Sequence, residues 1–319
     1  MEYRKLGSSD IEVSRLCVGC MSFGDPASKM HDWTLNPEES ERIVAHALDL
    51  GINFFDTANC YSAGTSEEYL GKAIKNNVQR DKVVLATKVY FNPGHLSKEA
   101  ITRELEGSLK RLGTDYVDLL IIHRFDSGTP VEDTMEALHN LVAAGKVRGL
   151  GASAMYGYQF AKLQTVAEKN DWTKFISMQN HYNLLYREDE RELIPICKEQ
   201  GVSLTPYSPL AAGRLARPWS ADTLRSKTDV VAKGKYDNTQ DTDIKIVERV
   251  AAIAENYGCT MTQVALAWQF AKGVTSPLIG ATKSKYLDDA AGAFNLTLTP
   301  EEINYLEELY VPHKIVGAL

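Results

Sequence analysis

Short apolar runs alternate along this chain with longer stretches of amphipathic, helical spacing. The runs fall at 16–19, 53–56, 83–88, 117–123, 147–153, 175–179, 202–207 and 276–280. They are rich in Val, Ile, Leu and Phe with little polar alternation, the pattern of parallel strands buried on both faces. From 53 to 202 the strand starts recur every 27 to 34 residues, about one strand–helix unit each. The helices between them carry their own punctuation. Asn36, Pro37 and Glu39 supply a cap, a first-turn proline and a third-position acid, and Gly51 closes that helix. Ser97 precedes a face of Ile101, Leu105, Leu109 and Leu112, closed by Gly113. A further helix opens at 129–132, with Leu138, Leu141 and Val142 facing inward and Gly145 after its end. Eight strands in this alternation predict an α/β fold, either a closed barrel or a doubly wound sheet.

Two segments fall outside the rhythm. Residues 3–6 and 11–13 flank Gly7-Ser-Ser-Asp10 and read as a hairpin that would plug a barrel floor. More than sixty residues separate the seventh strand from the eighth. Residues 211–243 of that connection are polar and bear Gly, Pro, Arg and Lys, whereas 244–271 has helical spacing. A long connection without structure of its own in a compact domain is usually functional. Thr299 caps a last helix ending near Leu309. No linker or low-complexity stretch interrupts the chain, so 1–319 is expected to be a single domain, a length that α/β barrels reach.

Composition narrows the partners more than the fold. Lys and Arg number 35 against 42 Asp and Glu, a net charge of −7 without a basic block, which argues against nucleic acid or an anionic membrane. The N-terminus lacks the apolar core of a signal peptide and no run approaches 18 apolar residues; a cytoplasmic location is expected. Five cysteines (Cys17, Cys20, Cys60, Cys197 and Cys259) are an odd count that suits reduced thiols. Cys17 and Cys20 lack the second ligand pair a zinc site needs.

The chemistry is expected where parallel strands end. Asp56, Lys88 and His123 end strands two, three and four, and Tyr61 lies five residues past Asp56. Taken singly, each has a bland reading: a turn cap, a loop aromatic, a core histidine. Lys88 is harder to dismiss, because a lysine inside an apolar strand is costly unless paired, and Asp56 is its obvious partner. A cation held beside a tyrosine favours phenolate, so Lys88 is expected to lower the Tyr61 pKa and make it a general acid–base.

At this point the motifs resemble a known family. Gly51-Ile-Asn-Phe-Phe-Asp-Thr-Ala-Asn-Cys-Tyr-Ser62 with Ser66-Glu-Glu-Tyr-Leu-Gly71 resembles one aldo-keto reductase signature. Leu112-Gly-Thr-Asp-Tyr-Val-Asp-Leu-Leu-Ile-Ile-His-Arg124 resembles the second. The likeness continues through Ser177-Met-Gln-Asn-His-Tyr-Asn-Leu184, Tyr207-Ser-Pro-Leu210 and Pro277-Leu-Ile-Gly-Ala-Thr-Lys283. It looks nearest to bacterial members related to potassium-channel β subunits and to the reductase-like protein linked with 1-deoxyxylulose 5-phosphate. The resemblance implies a (β/α)₈ TIM barrel with an N-terminal hairpin and a long loop after strand seven. It implies NADPH-dependent reduction of small aldehydes and ketones, with NADH left open. Tyr61 would donate the proton, Lys88 and Asp56 would tune it, and His123 would orient the carbonyl. Tyr207 would stack on the nicotinamide, and Ser153 and Gln179 would hold its carboxamide. Met21, Ser208, Leu210, Gly213 and Arg214 would line the cofactor, and Gly280, Thr282, Lys283 and Tyr286 would meet its phosphates and adenosine. Ala154, Tyr286 and Ala290 stand where family members often carry nucleotide-contacting residues.

Other readings stay beside it. A short-chain dehydrogenase would use Tyr158 and Lys162, but the chain lacks that fold's glycine-rich turn. A Schiff-base barrel enzyme would use Lys88 as nucleophile. A cofactor-binding regulatory subunit would turn over slowly. Met21, Phe23, Trp33, Tyr90, Phe91 and Arg124 are expected to line the substrate pocket. Arg124 suggests either an anionic substrate or a structural salt bridge; oligomeric state is not legible.

Overall fold

The eight apolar runs become eight parallel strands of one curled sheet in the computed structural model, which describes residues 1–221, 223 and 227–317. After a hairpin of β1 (Tyr3–Lys5) and β2 (Glu12–Ser14) come β3 (Cys17–Gly19), β4 (Phe54–Asp56), β5 (Val84–Val89) and β6 (Val117–Ile122). They are followed by β7 (Val147–Ser153), β8 (Phe175–Gln179), β9 (Ser203–Leu204) and β10 (Leu278–Ile279). The ladder runs β10-β3-β4-β5-β6-β7-β8-β9. It closes on itself: the N–H groups of Thr275 and Leu278 donate to the carbonyls of Leu204 and Pro206 at 2.9 and 3.0 Å. The fold is therefore a (β/α)₈ barrel and not a doubly wound sheet. β9 and β10 are shorter than the runs 202–207 and 276–280 predicted. Pro206 and Pro277 have no N–H to donate, so each joins the ladder only through its carbonyl, which accepts from Leu278 and from Cys17 at 3.0 and 3.1 Å. On the β8 side the pairing runs past β9, the N–H groups of Thr205 and Tyr207 donating to the carbonyls of Met178 and Asn180, both at 2.9 Å.

Helices α1 (Pro37–Asp49), α2 (Thr65–Asn77), α3 (Lys98–Leu112), α4 (Val131–Ala143), α5 (Gly157–Lys169) and α6 (Leu193–Glu199) follow successive strands. The caps of α1 and α3 are those the sequence signals, whereas α4 starts behind Pro130 without a side-chain cap, the Thr129 hydroxyl donating instead to Asp126. Asn36 and Glu39 bond reciprocally in a capping box, Ser97 accepts from Ala100, and Gly113 takes the left-handed conformation after α3. Leu138 and Leu141 of α4 are buried, whereas Val142 is only half-buried. The expected helical stretch 244–271 is two helices, Gln240–Tyr257 and Met261–Ala271, separated where Gly258 adopts φ +61°. The preceding connection carries a short turn at Ala211–Gly213 and a helix at Val230–Tyr236; residues 222 and 224–226 of the expected loop lie outside the described residues. The last helix, Pro300–Glu307, stops two residues short of Leu309.

The hairpin closes the floor. Leu6, Ile11 and Val13 are buried in one cluster with Cys17, Phe54, Val84, Ala86, Leu119, Ile121 and Leu278, the barrel interior. The Gly7 N–H donates to Ser203 Oγ at 2.8 Å. Gly7 has φ +53°, and a Cβ there would stand 2.6 Å from the Ile176 carbonyl oxygen. Gly7→Ala is accordingly expected to cost about 2 kcal/mol, read as a lower midpoint in urea. An unchanged midpoint would mean the hairpin is not docked. Among the described residues no helix is long and apolar enough to cross a membrane.

Candidate active site at the C-terminal end of the barrel

The end opposite the hairpin collects the ionisable residues. β4 ends on Asp56, β5 carries Lys88 one residue before its end, and His123 follows β6 directly. In-register parallel pairing sets Asp56 beside Ala86 and Lys88 beside Ile121, so adjacent staves present these side chains together. Tyr61 begins the tight turn Tyr61–Gly64, in which Ser62 and Ala63 are left-handed at φ +46° and +55°. Non-glycine residues in that region are strained and need support. It comes from several directions. The Ser62 N–H donates to Met30 Sδ at 3.0 Å, the Asn59 N–H to the Lys88 carbonyl at 3.2 Å, and Asn59 Nδ2 to Glu104 Oε2 at 2.9 Å. Asn92 donates to the same Glu104 oxygen. This clamp from α3 is one that no sequence spacing announces.

Lys88 is fully buried, and its ammonium is surrounded by acceptors: Asp56 Oδ1 at 2.5 Å, the Thr57 carbonyl at 2.7 Å and the Tyr61 hydroxyl at 3.1 Å. Burial works against the charge, but Asp56 and Tyr61 hold Lys88 above the ordinary lysine range. A lysine so held is not a free amine, which removes the nucleophile that the Schiff-base reading required. Asp56 is itself fixed by Gln179 Nε2, which donates to Oδ2 at 2.9 Å.

Tyr61 departs from expectation. Lys88 does pull its phenol toward ionisation, but burial pushes harder and Asp56 adds to it, so the pKa lies above the ordinary tyrosine value. The sequence shows the cation and not the depth of burial. The side chain is therefore a protonated donor across neutral pH. The rings of Tyr61 and His123 meet edge-on at 5.9 Å. Burial, with Lys88 and Arg124 nearby, keeps His123 well below the ordinary histidine range, so its imidazole is neutral. Its Nδ1 is buried without a partner among the described residues.

His181 is likewise buried and held well below its usual range. Both histidines titrate near 6.5 once unfolded, so the unfolded chain takes up protons below that pH that the folded one refuses. Each histidine should cost up to about 1.4 kcal/mol per pH unit below about pH 6.5, partly offset by Asp189, whose carboxyl burial pushes up to about 7 so that it takes up a proton in the folded chain over the same range. Urea titrations between pH 7 and 5 read the net slope; the parent should lose more stability over that range, or gain less, than His123→Gln does, and an identical slope in that variant would remove His123 from the account.

The residues expected around a cofactor gather at the same end. Ser153 and Gln179 are register partners on β7 and β8, and the Ser153 hydroxyl donates to the Gln179 carbonyl at 2.8 Å. Ser208 and the turn Ala211–Gly213 form a run of left-handed backbone, with φ +53° at Ser208, +47° and +55° at the alanines and +96° at Gly213. Leu210 is half-buried against the core, and half-buried Met21 lies in the turn after β3. Gly280 faces open space, since an added Cβ would meet nothing within 4 Å. Thr282 and Lys283 follow it, and the helix Ser284–Ala291 then starts without a side-chain cap, which leaves backbone N–H donors for an anion. Lys283 and Tyr286 are exposed at that start. These features fit a dinucleotide phosphate.

Two expected positions are otherwise engaged. Arg214 bonds Asp237 at 2.5 Å and lies over the Trp219 and Tyr236 rings. Tyr207 stacks on His181 at 5.1 Å and carries the Lys235 ammonium 4.7 Å from its ring centroid. The ring expected to receive a nicotinamide thus meets groups of this chain, neither of which the sequence reading singled out. Tyr158, the rival catalytic tyrosine, is exposed on the outer helix α5.

A barrel whose C-terminal end gathers a buried Lys–Asp pair, a tyrosine and a neutral histidine has the layout of a carbonyl-processing oxidoreductase. Comparison with known proteins gives the family. A model of the aldo/keto reductase family matches residues 15–311. Versiconal hemiacetal acetate reductase of Aspergillus parasiticus is 43% identical, over 99% of this chain and 98% of that protein. A putative aryl-alcohol dehydrogenase of Schizosaccharomyces pombe is also 43% identical, over 99% and 98%. A solved thermostable aldo-keto reductase in complex with the inhibitor epalrestat superposes with a TM-score of 0.77 at 28% identity, over 97% of this chain and 100% of that one. The chain belongs to the aldo/keto reductase family and is an oxidoreductase. The relatives named here by sequence are fungal reductases and dehydrogenases, not the bacterial members that the motifs suggested.

Proposed function

We propose that residues 1–319 act as one cytoplasmic barrel domain that reduces small aldehydes or ketones with NADPH. The observation that supports this best is the Lys88 ammonium, bonded at once to Asp56 and to the Tyr61 hydroxyl. When bound, the nicotinamide supplies the hydride. Tyr61 holds the proton that the product oxygen needs, and its raised pKa keeps it protonated at neutral pH. As the proton leaves, the Lys88 charge 3.1 Å away stabilises the phenolate. Neutral His123, beside the Tyr61 ring, offers a ring N–H that orients the carbonyl without competing for the proton. Ser153 and Gln179 would hold the carboxamide, and Met21, Ser208, Leu210, Gly213 and Arg214 would border the pyrophosphate. Gly280, Thr282, Lys283 and Tyr286 would meet the adenosine end, and Tyr207 would accept the ring once Lys235 moves aside.

The test is direct. Purified protein is mixed with NADPH or NADH and a set of aldehydes and ketones, following absorbance at 340 nm (about 10 substrates suffice), with tryptophan quenching as the binding readout. Turnover with NADPH is expected. Tight NADPH binding without turnover on any carbonyl would leave a cofactor-binding regulatory protein instead, and absence of both would overturn the reading.

A further inference from the structure

Arg124 follows His123 on the loop after β6 and stands at the mouth of the candidate site. Its guanidinium lies 5.5 Å from the centroid of Phe91, and the Phe91 ring meets His123 edge-on at 4.9 Å. One nitrogen is anchored: Nη1 donates to the His123 carbonyl at 2.7 Å. Nε and Nη2 have no hydrogen-bond partner among the described residues, and no carboxylate there lies within ion-pair distance of the group. The nearest acid along the chain, Asp126, is engaged elsewhere. It accepts from the Thr129 hydroxyl at 2.6 Å and from the N–H groups of Gly128 and Leu96 at 2.9 and 3.2 Å. Asp56 is bound to Lys88 and Gln179. The structural salt bridge that the sequence left open is thus not formed among the described residues.

The side chain is half-buried, so its charge is only partly hydrated. The guanidinium is close enough to His123 and Tyr207 to press both toward the forms that carry less positive or more negative charge. A fork of this kind, tethered at one nitrogen and presenting an open edge, matches the two oxygens of a carboxylate or phosphate. Phe91, exposed over nearly half its surface, adds an apolar wall beside it.

We propose that Arg124 recognises an anionic group on the carbonyl substrate, so that the preferred substrates are aldehydes bearing a carboxylate or phosphate a few bonds from the reacting carbon. This rests on the carbonyl-reductase reading above and adds the substrate class to it. Arg124 acts here on binding and specificity and takes no part in proton transfer.

The experiment compares matched substrates in the whole chain with NADPH: 4-carboxybenzaldehyde against its neutral isostere 4-formylbenzamide, and glyceraldehyde 3-phosphate against glyceraldehyde. The parent should favour the anion of at least one pair by tenfold or more in kcat/KM, expressed mainly in KM. Which pair shows it separates carboxylate from phosphate. Arg124→Met should reduce that ratio at least tenfold, and Arg124→Lys, a charge without the fork, should fall between. Inhibition of the parent by benzoate or inorganic phosphate, but not benzamide, tests the same site without any variant. A parent that reduces both members of both pairs equally overturns the Arg124 assignment and leaves the reductase reading standing. A ratio unmoved in Arg124→Met also overturns it. A parent that reduces none of the four but turns over another carbonyl with NADPH overturns the Arg124 assignment alone, and one that turns over no carbonyl overturns both.

Discussion

Tyr61→Phe is expected to bind NADPH as the parent does while carbonyl reduction falls by roughly 10²- to 10⁴-fold, the range attributed to a positioned general acid. The substitution is unusually clean. Phenylalanine keeps the ring that faces His123 edge-on and over which the Lys88 ammonium sits at 4.6 Å. Only the hydroxyl goes, and with it one of the three acceptors around Lys88. The remaining two, Asp56 and the Thr57 carbonyl, keep the ammonium satisfied, so the fold should be retained. Fluorescence titration with NADPH and steady-state kcat together read the two halves of the statement. A variant that reduced aldehydes at the parental rate would show that another group delivers the proton. The parent's reduction rate should also stay level through neutral and mildly alkaline pH, because Tyr61 remains protonated there.

Lys88→Met carries the second large effect, on stability as well as on rate. It leaves the Asp56 carboxylate buried with only Gln179 to bond it. Removing one partner of a buried pair typically costs about 3–5 kcal/mol. Protonation of Asp56 caps that cost, so the variant should recover stability as the pH falls, opposite in sign to the histidine effect in the parent. Asp56→Asn in the same background removes the stranded charge, and the amide oxygen it introduces can still accept from Gln179. The double variant should therefore melt closer to the parent than the single one does, yet stay inactive. Thermal melts at pH 5 and 7 alongside NADPH-linked turnover check both points. A single variant as stable as the parent would mean that the pair is not held as charges.

Much of the frame was legible because it is written locally. Strand runs, the Asn36 and Ser97 caps and the Gly113 stop each depend on residues within a few positions, and the structure has them where the pattern put them. Asp56, Lys88 and His123 were legible for a topological reason: consecutive parallel strands deliver their C-terminal ends to one rim. The shortness of β9 and β10 could have been read from Pro206 and Pro277, neither of which can donate to a ladder. The rest lay beyond spacing. Glu104 reaches the Tyr61 turn from 45 residues away through Asn59, and Gln179 reaches Asp56 across 123. Lys235 meets Tyr207 only because the connection after β9 folds back over the rim. The direction of the Tyr61 shift turned on burial, which no single sequence states.

The docked hairpin has a bearing on how this protein could be engineered. Leu6, Ile11 and Val13 fill the barrel from below, at the end opposite Tyr61. Packing, turn chemistry and the Gly7 anchor can be varied there for heat tolerance with the catalytic rim left alone. Loops on the rim can in turn be exchanged to alter substrate range, drawing on stability stored at the floor. Selection for robustness and selection for chemistry would then act on different ends of the same eight strands.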